Sequence, residues 1–235
     1  MRDVGLRASA LPGVVACLLV LTILPALCSA EWRTDFPVDV NNLGTDGHNP
    51  YFPLQPGHTL HLANGKVRNT VTVLAETKTV DGVECRVVLD REEKNGKPVE
   101  ITRDYYTIDR STGDVYYFGE DVDIYKRGKV VSHKGSWRSG VDDAKFGLMM
   151  PGKITVGDGF MQERAPKQRA VDRSKVIAVG EQVVTPAGTF ETVHMRDSSA
   201  IERGTDDKYY ARDVGLVKDG KAVLVRAEDS RPAAH

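Results

Sequence analysis

"VRNTVTVLAETKTVDGVECRVVLDREEKNGKPVEITRDYYTID" runs from Val67 to Asp109. Two dipeptides, Asp81-Gly82 and Asn95-Gly96, cut it into three runs. Asp-Gly and Asn-Gly suit the two-residue type I′ turn, in which both central residues need positive φ. The runs between them alternate. Val67, Val71, Val73 and Ala75 share one side of the first, and Val83, Cys85, Val87 and Leu89 share one side of the second. A period of two is that of a strand with one buried face, so the stretch reads as consecutive antiparallel hairpins.

The same pattern extends in both directions. Upstream, Thr59–Ala63 ends at Asn64-Gly65, a third turn pair. Downstream, strands are expected at Val115–Phe118, Ile124–Lys126 and Val130–His133. Further runs follow at Ser174–Val179, Gln182–Thr185, Thr189–Met195, Lys208–Ala211, Gly215–Lys218 and Ala222–Arg226. Helix signals are weak: only Gln162–Ser174 offers a turn or two, and Pro166 argues against more. The fold class that follows is all-β, a curved antiparallel meander forming a half-barrel or open barrel.

The halves repeat at a nearly constant offset. "VTVLAETKTVDGVECRVV" and "VIAVGEQVVTPAGTFETVHM" share a strand–Glu–turn–strand plan, with Glu76 matching Glu181. "RDYYTID" and "DKYYARD" then align Tyr105 with Tyr209 and Tyr106 with Tyr210. Two pseudo-repeats, 59–134 and 153–227, joined by 135–152, are one reading; chance similarity between hairpins is the other.

The first thirty residues stand apart. Arg2 and Arg7 precede an apolar run from Leu11 to Leu24, Pro25 breaks it, and Cys28-Ser29-Ala30 offers small residues for cleavage. This is the pattern of a secretory signal, with the mature chain starting at Glu31. An uncleaved anchor is the alternative, because the run approaches spanning length. Pro-Ala-Leu before Cys28 does not match a lipobox. Residues 31–58, dense in Asn, Gly and Pro, read as an irregular leader, 59–227 as the antiparallel domain and 228–235 as a disordered tail.

Composition excludes several functions. The chain carries a formal charge of −1, and removing Arg2, Arg7 and Asp3 leaves −2. Nucleic-acid binding asks for a basic face, so nucleic acid is not expected as a partner. No second apolar stretch reaches membrane-spanning length. Two of the three cysteines lie in the signal, so Cys85 has no internal disulfide partner, and its place in an apolar period makes it a core residue.

Motifs for chemistry are few. "GSWRSG" is not a nucleophile elbow, and no phosphate loop or H-E-x-x-H is present. His58 and His61 are three apart, on opposite faces of a strand, and cannot chelate one metal together. Glu120, Asp121 and Asp123, and the pair Asp142 and Asp143, read as solvated turn carboxylates without calcium-loop spacing. No catalytic residue, cofactor or metal site is expected. The aromatics say more: Tyr105, Tyr106, Tyr116, Tyr117, Phe118 and Tyr125 crowd two hairpins. Amphipathic rings suit a pocket for a mixed ligand. Tyr106, Tyr117, Trp137, Met149 and Met150 are therefore the candidate ligand-binding residues. The long stretch 135–160 is expected to cross one mouth of the sheet as a lid, with Trp137 beneath it and Asp142 and Asp143 at its rim.

"NPYFPLQPG", "DGVECRVV", "GSWRSGVDDAKFGLMMPG", "TPAGTF" and "YYARDVGLVK" together resemble an uncharacterised family of secreted bacterial β-proteins. More distantly, the last two segments resemble periplasmic lipoprotein-carrier-like proteins. That resemblance implies an open curved sheet around an apolar groove, and it brings no catalytic residues.

The functional expectation is an exported, non-enzymatic protein, periplasmic or extracellular, that binds or carries a small apolar or amphipathic ligand in the bacterial envelope. A structural or protein-interaction module is the first alternative. A hydrolase using carboxylates such as Asp142 or Glu120 is the second, and it would need two carboxylates in one cleft, one with a raised pKa.

Overall fold

The computed structural model describes residues 32–229. The expected signal, its cleavage site before Glu31 and the end of the tail from residue 230 lie outside the described residues. Among them the strands follow in order: β1 (Leu43–Gly44), β2 (Thr59–Asn64), β3 (Val67–Val80), β4 (Val83–Lys94), β5 (Lys97–Asp109) and β6 (Val115–Lys126). Then come β7 (Lys129–Ser132), β8 (Trp137–Arg138), β9 (Lys145–Met150), β10 (Gly159–Met161) and β11 (Glu163–Arg164). The chain continues through β12 (Asp172–Thr185), β13 (Gly188–Ser199), β14 (Asp206–Ala211), β15 (Gly215–Asp219) and β16 (Ala222–Glu228). Two 3₁₀ turns, Val40–Asn42 and Pro166–Gln168, are the helical elements among these residues.

Turn chemistry accounts for the hairpins. Asp81 and Gly82 take φ of 51° and 76°, and Asn95 and Gly96 take 54° and 70°, as a type I′ turn requires. Arg127-Gly128 does the same at 53° and 76°. The first turn differs from expectation. Asn64 ends β2, and Gly65, at φ 59°, opens a turn with Lys66.

Pairing is antiparallel in the order β10-β12-β13-β14-β15-β16-β2-β3-β4-β5-β6-β9-β11. The two ends of this path, β10 and β11, are separated in the chain only by Gln162. Met161 pairs with Arg173 of β12, while Glu163 pairs with Phe146 of β9. One segment thus switches partners midway and almost closes the sheet into a barrel with a single seam. Closure removes the exposed edges that an open sheet presents.

Two expected breaks are bulges instead. Val115–Lys126 is one strand, because Tyr105 stands opposite Gly119 and Tyr106 opposite Tyr117, which leaves Phe118 as an extra residue. Asp172–Thr185 is also one strand, with an irregularity at Gly180. Glycine in a strand marks a bulge as readily as a turn. The lid expectation is corrected in the same way: residues 135–160 supply β8, β9 and the start of β10 and are part of the wall. Trp137 is buried at 3 % exposure, and Asp142 and Asp143 sit exposed in a turn, Asp143 2.8 Å from Lys167.

The two halves run β3-β4-β5 and β12-β13-β14, each a long hairpin followed by a third neighbouring strand. Register differs by two residues: Tyr105 lies opposite Val87, the fifth residue of β4, and Tyr209 opposite His194, the seventh of β13. Cys85 is fully buried and unbridged, and burial pushes its thiol up to about 12.

Candidate functional site

The inward faces of the strands surround a cavity of about 240 Å³. Its floor is aromatic. Tyr106 and Tyr117 stack with centroids 4.8 Å apart, and Phe52 meets Tyr106 edge-on at 5.0 Å. The leader closes this end. Asn49 donates from Nδ2 to the carbonyls of Gly113 (2.8 Å) and Pro151 (3.3 Å), and the Asp213 amide donates to Pro50 O (2.6 Å). The 49–53 segment is thereby tied to three points of the rim, which brings Phe52 and Pro53 into the lining. On the walls, Leu60, Val71, Val73, Val88 and Leu216 supply an apolar surface.

Above the floor the lining is acidic. On β5, Glu100, Thr102, Asp104 and Tyr106 follow one another on the inner face, since side chains two apart share a side. Glu100 is exposed and the other three are buried, so the lumen opens at the Glu100 end. Asp90, Asp104, Glu163, Asp172, Asp197 and Asp219 all line the main cavity. An adjoining space of about 170 Å³ shares Asn69, Asp90 and Asp104 with it and adds Glu92, Glu100 and Glu120. Asp104 stands directly opposite Glu120, and Glu92 opposite Glu100. Like charges directly opposed across strands destabilise a sheet.

Protonation follows from this crowding. Burial raises Asp104, with Asp90 adding to it, and burial raises Glu120, with Asp104 adding to it. Burial, with Asp172 nearby, pushes Glu163 up to about 8. Burial pushes Asp90 up to about 6, against a hydrogen bond from Asn69. Tyr117 donates its hydroxyl to Asp104 Oδ1 at 2.6 Å. Lys208 is the one lysine or arginine in the lining among the described residues. Burial opposes its charge, but Asp197 at 3.1 Å and Asp219 at 3.9 Å hold its pKa well above the ordinary lysine value.

Three of the five residues expected to bind ligand, Tyr106, Tyr117 and Met149, line the cavity. Trp137 stands beside it, edge-on to Tyr117 at 5.3 Å and opposite Glu120 in register. Its buried Nε1–H has no hydrogen-bond partner among the described residues. Met150 is outside the lining and fully buried, because neighbours along β9 face opposite sides. Of the acidic groups read as solvated turns, Glu120 is corrected: it lies mid-strand on the inner face, while Asp121 turns outward to Arg138 and the Tyr105 hydroxyl. His58 lines the cavity with both ring nitrogens engaged, by Asp229 and by the Val214 carbonyl. Among the described residues no three His, Cys, Asp or Glu side chains converge as a metal site.

Sequence reasoning missed Asp90, Asp104, Glu163 and Lys208. A signal existed in β5, where Glu100, Thr102 and Asp104 share the face of Tyr106. It reads as a solvated face until closure turns that face inward.

No protein-family model matches the chain, and no curated protein matches it. A solved structure described as "a putative lipoprotein from Parabacteroides distasonis" aligns with 78% of this chain and 100% of its own, at 13% identity and a TM-score of 0.37. A likeness of that size carries no argument about this site. No helix among the described residues is long and apolar enough to cross a membrane.

Proposed function

We propose that this is an exported, non-enzymatic protein of the bacterial envelope that holds a small amphipathic ligand inside its barrel. The observation that carries the reading is the cavity itself: about 240 Å³, with an aromatic floor, apolar walls and a polar band toward its opening. Concave, mostly pre-formed, mainly apolar sites with a few placed polar groups are where small molecules bind. Export rests on the signal-like start of the chain and on the resemblance of its segments to secreted β-proteins.

Native mass spectrometry of the protein isolated from its own envelope tests the reading. A mass surplus that disappears on denaturation is expected. A bare mass, together with no uptake of any small amphiphile, would reject it.

The Asp104–Glu120 pair favours a second reading. Two carboxylates stand directly opposite each other on one inner face, and a carboxylate-dependent hydrolase needs two such groups in one cleft. Turnover of ester or glycoside substrates, abolished by Asp104→Asn or Glu120→Gln in a folded protein, would favour this reading over simple binding.

A further inference from the structure

We propose that the ligand of the lumen is an organic cation, an amine whose apolar body rests on the tyrosine floor while its ammonium group meets the carboxylates above. This rests on the reading of the barrel as a small-molecule binder and names the chemistry of what it takes.

The first support is an imbalance of charge with a direction. Lys208 is spent on Asp197 and Asp219. No ion pair joins Asp90, Asp104, Glu120 or Glu163 to a lysine or arginine among the described residues. Asp90, Asp104 and Glu163 line the main cavity instead, and Glu120 lines the space that adjoins it.

The second support is independent of charge and concerns unpaired acceptors. Gln162, at the seam, is 4 % exposed and lines the cavity. Its amide donates to the Met149 sulfur at 3.5 Å, a weak acceptor. Asn69 gives its Nδ2 to Asp90, which leaves Oδ1 buried and unpaired; Asp197 Oδ1 is also buried and unpaired. Buried acceptors without donors are costly. A ligand that brings several N–H donors and a positive charge answers both deficits.

The third support is the floor. Tyrosine rings give the apolar body of such a ligand a surface to rest on, and the Tyr117 hydroxyl, 2.6 Å from Asp104, sets a carboxylate beside that surface. A bare metal ion would want several oxygens converging on one point. The lumen spreads its carboxylates over several strands, and no such convergence is present among the described residues.

Titration calorimetry of the purified full chain with octylamine, 1-octanol and octanoate at pH 8.5, where Asp90, Asp104 and Glu163 ionise and octylamine is still an ammonium ion, separates the possibilities, since only the head group changes. Octylamine is expected to bind one per chain, about tenfold or more tighter than the alcohol, with octanoate weakest. Equal binding of octylamine and 1-octanol would overturn the cationic preference and leave the lumen as a binder. Binding of none of the three would count against both. Asp104→Asn combined with Glu163→Gln, checked for folding by circular dichroism, should remove the preference for octylamine without weakening 1-octanol. Retained preference in that folded variant would overturn the assignment to these carboxylates. If it does not fold, Asp90→Asn replaces it, with a partial loss expected and an unchanged preference counting against the proposal.

Discussion

Cys85 and Trp137 show how differently two buried side chains are held. Cys85 is small, fully buried and uncharged at any ordinary pH, its thiol raised to about 12 by burial. Cys85→Ala should cost about 1–2 kcal/mol, the scale of a small cavity, and leave ligand uptake intact. Urea unfolding and octylamine titration of the variant measure the two. Trp137 fills more space, contacts Tyr117 and stands opposite Glu120. Trp137→Ala should destabilise by about 3–5 kcal/mol in the same assay. Its fluorescence should change when an amphiphile fills the lumen next to Tyr117. The burial of Cys85 was legible in the sequence because its neighbours keep a strict period. The place of Trp137 was not, because "GSWRSG" has no period and the residue is positioned by pairing with β6.

At the scale of the element, the seam depends on one close approach. A Cβ at Gly147 would lie 2.3 Å from the Gln162 carbonyl oxygen, so β9 accepts no side chain where β10 passes into β11. Gly147→Ala should cost about 1–3 kcal/mol, as overpacking does. Amide exchange should quicken in residues 159–164 before it does in β3, β4 or β5. Exchange unchanged there would mean that the seam does not depend on this contact. Gly119 has a comparable role in β6: φ is 138°, and a Cβ would meet the Trp137 carbonyl oxygen at 2.3 Å. The sequence marks both positions as glycine and no more. Whether a glycine turns the chain or lets another strand approach is decided by the partner, which lies far along the chain.

The whole molecule encloses carboxylates that prefer to be protonated, and this has a signed consequence. Asp90, Asp104, Glu120 and Glu163 have folded pKa values raised above the unfolded range near 4. Between that range and the folded values, the folded state binds more protons than the unfolded one. Stability therefore falls as pH rises through this window. The melting temperature of the ligand-free protein should drop steadily from pH 5 to pH 9. Glu163→Gln should flatten the upper part of the slope, where a group raised to about 8 titrates. A melting temperature that rises over this range would show the lumen carboxylates to be ionised without penalty. Bound octylamine should reduce the slope, because a cation compensates the ionised groups.

The sequence by itself determined the all-β class, most hairpins, the burial of Cys85 and the aromatic crowding around Tyr106 and Tyr117. Each of these is local: a turn dipeptide, a period of two, or residues a few positions apart. Tertiary structure alone decided which face of each strand looks inward, and with it the acidic lumen. Asp90 and Glu163 are far apart in the chain, and they line one cavity only because the segment around Gln162 pairs with β12 on one side and β9 on the other. That closure converts alternating acidic positions, which would be ordinary solvent-facing residues on an open sheet, into the lining of a confined space.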